Sequence, residues 1–194
     1  MPPPLTYVIV SRQPASINAA KGRPLDQEVA VWLYQDAAWT ALTPSLDLEP
    51  AARQTAARLM REELVTLLVP LRERATPPEW SAPATRRGFV LVCGGRWEPL
   101  ASLIDQFPLL YVSSANSTGN DPAATAVAAK AMFGPEVPVV DGDALRDPDL
   151  DYRATTMLRM APDGKVDLVR HGAQDRGEQS YLETLTRLGV TSWA

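Results

Sequence analysis

Apolar residues fall along this chain in short runs, closed on either side by polar, glycine- or proline-bearing stretches. Runs of this length, enriched in β-branched residues, predict strands at Tyr7–Val10, Val29–Tyr34, Leu64–Val69, Phe89–Cys93, Leu109–Val112, Val137–Val140, Thr155–Met160 and Val166–Arg170. Between them, longer stretches predict helices at Glu49–Glu62, Pro99–Gln106, Pro122–Phe133 and Glu178–Leu188. Asp121 and Pro122 suit the N-cap and first position of the third helix, and Gly134 with Pro135 suits its end. In the last, Tyr181, Leu182, Leu185 and Leu188 share one face, which reads as a packing stripe. Strands alternating with helices predict an α/β sheet.

One junction carries candidate chemistry. The run Leu109–Val112 stops at Ser113-Ser-Ala-Asn-Ser-Thr-Gly119, and a predicted helix follows. A strand, a polar turn and a helix start is an arrangement that binds anions, so Ser114, Asn116 and free backbone N–H groups are candidates to face a phosphate or carboxylate.

Composition narrows the rest. With 194 residues, 45% of them hydrophobic, the chain suits one domain, and no apolar run approaches the roughly 20 residues of a membrane span. Its Met-Pro-Pro-Pro start lacks the basic-then-apolar pattern of a signal peptide, so a soluble cytoplasmic protein is expected. The single cysteine, Cys93, allows no internal disulfide and reads as a buried strand thiol. The single histidine, His171, leaves no multi-histidine metal site and little scope for base catalysis. A net charge of −4 argues against generic nucleic-acid packing but leaves room for a local basic groove. The proline-bearing stretch 71–87 reads as a surface loop with Arg86-Arg87 exposed, and the five aspartates between Asp141 and Asp151 as a solvated loop without the spacing of a calcium site. The five tryptophans read as core or rim residues.

A second polar cluster, Lys21-Gly-Arg23-Pro24, precedes the strand that opens at Val29. Read as extended chain, it directs Lys21 and Arg23 to one side, where two cations meet one anion. In order, Lys21-Gly-Arg23-Pro24, Ser114-Ala-Asn116-Ser-Thr-Gly119, Ala154-Thr155-Thr156 and Leu168-Val-Arg170-His-Gly172 resemble the motifs of the YrdC-like threonylcarbamoyl-adenylate synthase family. That family has a Lys-Gly-Arg-Pro element, a Ser-Ala-Asn-x-Ser-Gly element, a late Ser-Thr-Val-Val strand and a closing Arg-x-Gly. The resemblance spans about residues 17–174.

The resemblance implies a single YrdC-like α/β domain over 1–194, with its core at about 5–174. This would be a twisted mixed sheet with flanking helices and a concave basic cavity. It implies formation of threonylcarbamoyl-adenylate from L-threonine, bicarbonate and ATP with magnesium, as a donor for tRNA modification. By position, Lys21 and Arg23 would be catalytic, at the phosphates and the amino-acid carboxylate, and Ser114, Asn116, Thr155 and Arg170 would bind the nucleotide. Such chemistry needs cations and oriented donors more than a base.

Departures from the pattern lie on the amino-acid side. The family's Pro-Thr-Asp-Thr-x-Tyr-Gly-Leu segment is missing before Lys21, so the N-terminal part reads as shortened. Glu62-Glu-Leu-Val-Thr66 replaces a Pro-Gly-Pro-Leu-Thr turn, Ala154 stands for the late serine, and Arg96 is the candidate to replace an arginine expected near Gly94. A second reading follows: a non-catalytic homologue that binds nucleotide or double-stranded RNA and has lost amino-acid recognition.

Overall fold

The computed structural model describes residues 1–175; the predicted helix Glu178–Leu188 lies outside them. The strands are β1 (Val8–Ser11), β2 (Ala30–Trp32), β3 (Thr66–Pro70), β4 (Thr85–Arg86), β5 (Phe89–Cys93), β6 (Leu110–Ser114), β7 (Met157–Met160) and β8 (Val166–Arg170). The helices are α1 (Pro14–Ala20), α2 (Asp36–Leu42), α3 (Pro50–Arg61), α4 (Ala101–Ile104) and α5 (Ala126–Phe133). All strands join one mixed sheet in the order β1-β6-β2-β5-β3-β7-β8, with β4 paired to β5 off this path. The β2–β5 and β3–β7 pairs are parallel and the others antiparallel. The fold is therefore α/β, a curled mixed sheet with flanking helices.

The apolar runs are continuous because both faces of the sheet are covered. Val29, Val31 and Leu33 enter the larger core with α3 residues Ala52, Ala56 and Leu59. The alternate residues Ala30, Trp32 and Tyr34 enter a second cluster on the other face with Cys93, Leu110 and Val112. Cys93 is a buried free thiol, as expected, and burial pushes it up to about 12. Helix α3 begins at Pro50, whose missing N–H costs nothing at a helix start, and carries Arg58 and Arg61 in its last turn, where cations favour the dipole.

Four expectations are corrected. Val137–Val140 forms no strand: Pro138 has no N–H to give a ladder, and the segment lies unpaired in the lining of a cavity beside β1. Helix α5 begins at Ala126 rather than Pro122, because Thr125 is the cap that accepts the Ala128 N–H, at 3.1 Å. The helix predicted over Pro99–Gln106 is a 3₁₀ turn, Glu98–Leu100, followed by the short α4. The stretch 71–87 is more than a loop: the turn Glu79–Ala84 buries Ser81 and Ala84 and leads into β4. Helices α1 and α2 escape the sequence pattern, since each has seven residues and few large apolar ones. Among the described residues, no helix is long and apolar enough to cross a membrane.

Strand β3 lies between β5 and β7, and Leu67 on it is fully buried. Leu67→Ala is expected to lower unfolding free energy by about 2–5 kcal/mol in urea titration. The same truncation at exposed Val127 on α5 should stay within about 0.5 kcal/mol. Equal small losses at both positions would contradict this placing of the core.

Candidate anion-binding site

Lys21 is the C-cap of α1, in helical conformation rather than in the extended segment expected from the sequence. The chain leaves the helix through Gly22, whose φ of +63° is open to glycine and strained for other residues. This turn, and not strand alternation, brings Lys21 and Arg23 to one cavity.

The lysine is almost wholly buried, at 3% exposure. Its Nζ donates to the Ser114 carbonyl and to Asn116 Oδ1, the latter at 2.7 Å. Ser114 Oγ donates to the same Asn116 Oδ1 at 2.6 Å, while the Asn116 amide donates to the Asn120 carbonyl at 2.8 Å. The Lys21 carbonyl in turn accepts from the Thr118 N–H at 3.1 Å and hydroxyl at 3.0 Å. Residue 21 thus clasps the turn after β6 from both ends. Arg23 is oriented by Asn18, fully buried on α1, whose Oδ1 accepts from Nε at 2.6 Å. The Asn18 amide donates to the Leu25 and Gln27 carbonyls, fixing the following loop. Arg23 Nη2 is buried with no partner.

From the far end of the sheet, Arg170 on β8 donates to the Thr155 carbonyl at 2.8 Å, and the Thr155 and Thr66 hydroxyls lie 2.6 Å apart. Gly172 allows this arrangement: a Cβ there would stand 2.2 Å from the Thr156 nitrogen and 2.6 Å from the Ala154 oxygen. That clearance lets Ala173 N–H donate to the Ala154 carbonyl at 2.9 Å.

Lys21, Arg23, Ser114, Asn116, Thr155 and Arg170 all line one cavity of about 460 Å³, floored by Ala30, Leu91, Cys93 and Val112 of the sheet. Its lining holds one carboxylate among the described residues, Glu28, which is already paired with Arg86 at 2.9 Å. Burial, and then the like charges of Arg23 and Arg170, lower the Lys21 ammonium to about 8. Three cations facing so little negative charge make the cavity complementary to an anion.

The helix start contributes differently from expectation. Asp143 Oδ2 already accepts the Ala126 N–H at 2.9 Å, so the protein supplies its own anion to α5. The backbone N–H groups of Ala115, Asn116 and Thr118 are spent on carbonyls of the fold. Side chains, not free backbone donors, carry the positive charge. Arg96 is held by Asp105 through paired contacts of 2.7 and 2.8 Å on the surface and does not line the cavity, so it does not replace the missing arginine. His171 projects outward at 80% side-chain exposure, paired with Asp175. Thr66, Thr118 and Glu28 line the cavity too and were not anticipated; a polar residue heading an apolar run, as at Thr66, is the one available signal.

No protein-family model matches the chain, and no curated protein matches its sequence. Solved structures do share its fold. P. abyssi Sua5 complexed with L-threonine aligns with a TM-score of 0.65 at 19% identity, over 87% of this chain and 48% of that one. A second P. abyssi Sua5 structure, of a double-alanine variant, aligns at 0.66 and 19% identity over 87% and 50%. The chain spans about half the length of the structures it matches.

The depressed lysine sets a pH dependence. Below about 8 Lys21 is protonated and attracts an anion; as pH rises through that value the charge is lost. Sulfate, which does not titrate in this range, should therefore bind about tenfold more weakly above the transition by calorimetry. Lys21→Arg should remove the transition, because the guanidinium stays charged. A flat wild-type profile between pH 7 and 9 (about one unit either side) would contradict this account.

Proposed function

We propose that the chain is an ATP-using synthase of the threonylcarbamoyl-adenylate type. It would join an amino acid, with L-threonine the first candidate, to bicarbonate and the adenylyl group of ATP. The observation that carries the reading is the convergence of Lys21, Arg23 and Arg170 on one cavity with an orphaned Arg23 N–H and a single, already paired carboxylate. The motif order that resembles the YrdC-like family supports it. So does the shared fold of Sua5, a protein solved with L-threonine.

In this reading the amino-acid nitrogen bonds to the bicarbonate carbon, a C–O bond breaks and water leaves, and an oxygen of the resulting carbamate attacks the α-phosphorus. The bond to the β-phosphate bridge oxygen breaks, and pyrophosphate leaves. Negative charge accumulates on the phosphoryl oxygens and the leaving group, so Lys21 and Arg23 act as fixed charge stabilisers rather than bases. Lys21, held by Ser114 and Asn116, keeps its position as charge develops. Asn116, Ser114 and Thr155 would border the nucleotide, and Arg170 would close the opposite wall. Among the described residues no cluster of three metal-ligating side chains exists, so the donor set suits a cation carried on the phosphates, with Glu28 the nearby carboxylate. Magnesium bound there would neutralise phosphate charge.

The test is pyrophosphate release from ATP with threonine and bicarbonate. Release that needs both, and that falls about 10²–10³-fold in Lys21→Ala, is expected. ATP binding without release under any amino acid would overturn the synthase reading in favour of a nucleotide-binding homologue. A salt-sensitive gel shift with double-stranded RNA in that case would identify the homologue's ligand as an RNA backbone.

A further inference from the structure

A second cavity, of about 500 Å³, lies beside edge strand β1; it shares Met1, Thr6 and Val8 with the cavity above but none of its cations. One wall is Trp97, Leu100, Ile104 and Phe107; the other is formed by Phe133 and the segment 137–140. Val10, Leu103 and Val140 bring large apolar side chains to its lining while remaining 42%, 41% and 52% exposed, so the apolar surface continues to the mouth. Its size falls in the range of small-molecule sites, about 300–1,000 Å³, and its composition is theirs too: apolar walls with very few polar groups.

The charged groups decide the ligand. Besides the α-amino group of Met1, which burial and then Arg146 lower to about 5, the lining holds two, Arg12 and Arg146, and no carboxylate among the described residues. Arg12 is exposed. Arg146 is not: its side chain is 6% exposed and its Nε is buried without an acceptor. Its other nitrogens donate to the Ala124 and Leu5 carbonyls, and its plane stacks 3.8 Å from the Tyr152 ring centroid. The nearest carboxylate, Asp143 at 4.0 Å, is committed to the Tyr7 hydroxyl and the Ala126 N–H. A guanidinium in the cavity wall, held by two neutral carbonyls and with its nearest carboxylate 4.0 Å away and shared with Tyr7 and Ala126, leaves positive charge beside apolar walls and is complementary to an acid with an apolar body.

We propose that this cavity binds a medium-chain monocarboxylate, its hydrocarbon chain between the two apolar walls and its carboxylate directed to the arginines. The proposal is independent of the synthase reading, since it shares none of Lys21, Arg23 or Arg170.

Calorimetric titration of the full chain with hexanoate, octanoate, decanoate and octanol tests it. Affinity should rise about fourfold per added methylene, the gain for burying that group, and octanol should bind at least about tenfold more weakly than octanoate. Leu103→Glu, at an exposed lining position, should cost octanoate about tenfold or more while sulfate binding at the Lys21 cavity is unchanged. Arg146→Gln should erase the preference for acid over alcohol; should that variant fail to fold, Leu103→Glu and the octanol comparison still decide. No binding of decanoate, or equal binding of octanol, would overturn the proposal. A concentration-dependent dimer that Leu103→Glu dissociates, with no acid bound, would overturn it as well and identify the surface as an interface between copies.

Discussion

A buried ammonium has to find acceptors, and Lys21 finds them 93 and 95 residues away, at the Ser114 carbonyl and Asn116 Oδ1. That requirement joins the end of α1 to the turn after β6, and the return bonds from Thr118 to the Lys21 carbonyl close the joint. The candidate site depends on it. With the lysine tethered from both ends, its charge stays in the cavity although burial and two neighbouring arginines oppose it. The cost of holding like charges together has to be met by the fold, here through the neutral acceptors of β6 and through Asn18, which orients Arg23.

The sheet explains why so charged a cavity can exist beside an apolar core. Alternation along β2 and β6 separates two apolar clusters, one on each face. The smaller cluster covers its face incompletely and leaves room for the cavity floor of Ala30, Leu91, Cys93 and Val112. Low polarizability of that floor strengthens every interaction above it. Burial there also holds the Cys93 thiol toward its protonated form.

Strand β1 stands between two different chemistries. Thr6 and Val8 contribute to both cavities, one lined by cations and hydroxyls, the other by aromatic and aliphatic side chains. The second exists because 137–140 runs beside the sheet without pairing to it. Its one proline accounts for the failure to pair: Pro138 has no N–H to offer a ladder. Asp143, in the turn that follows, then caps α5 and engages Tyr7, so the segment is anchored at its end while its middle stands off β1.

Much of this was legible in the chain itself. Val29–Tyr34, Phe89–Cys93 and Val166–Arg170 read as strands because burial on both faces demands continuous apolar runs, and helix α3 announces itself through Pro50 and its apolar period. The residues of the cavity, from Lys21 to Arg170, were nameable because functional groups sit in short motifs beside glycines, where the backbone must turn or pass closely, as Gly172 does against Ala154. What the sequence could not decide was who satisfies whom. Hydrogen-bond acceptors are chosen in three dimensions: Asp143 takes the helix N-terminus that local reading reserved for a ligand, Asp105 takes Arg96, and Gly22 turns Lys21 inward where alternation suggested a strand. Residue type and order determined the chemistry on offer; only tertiary packing, by spending some donors inside the fold and leaving others unspent, decided where that chemistry faces a ligand.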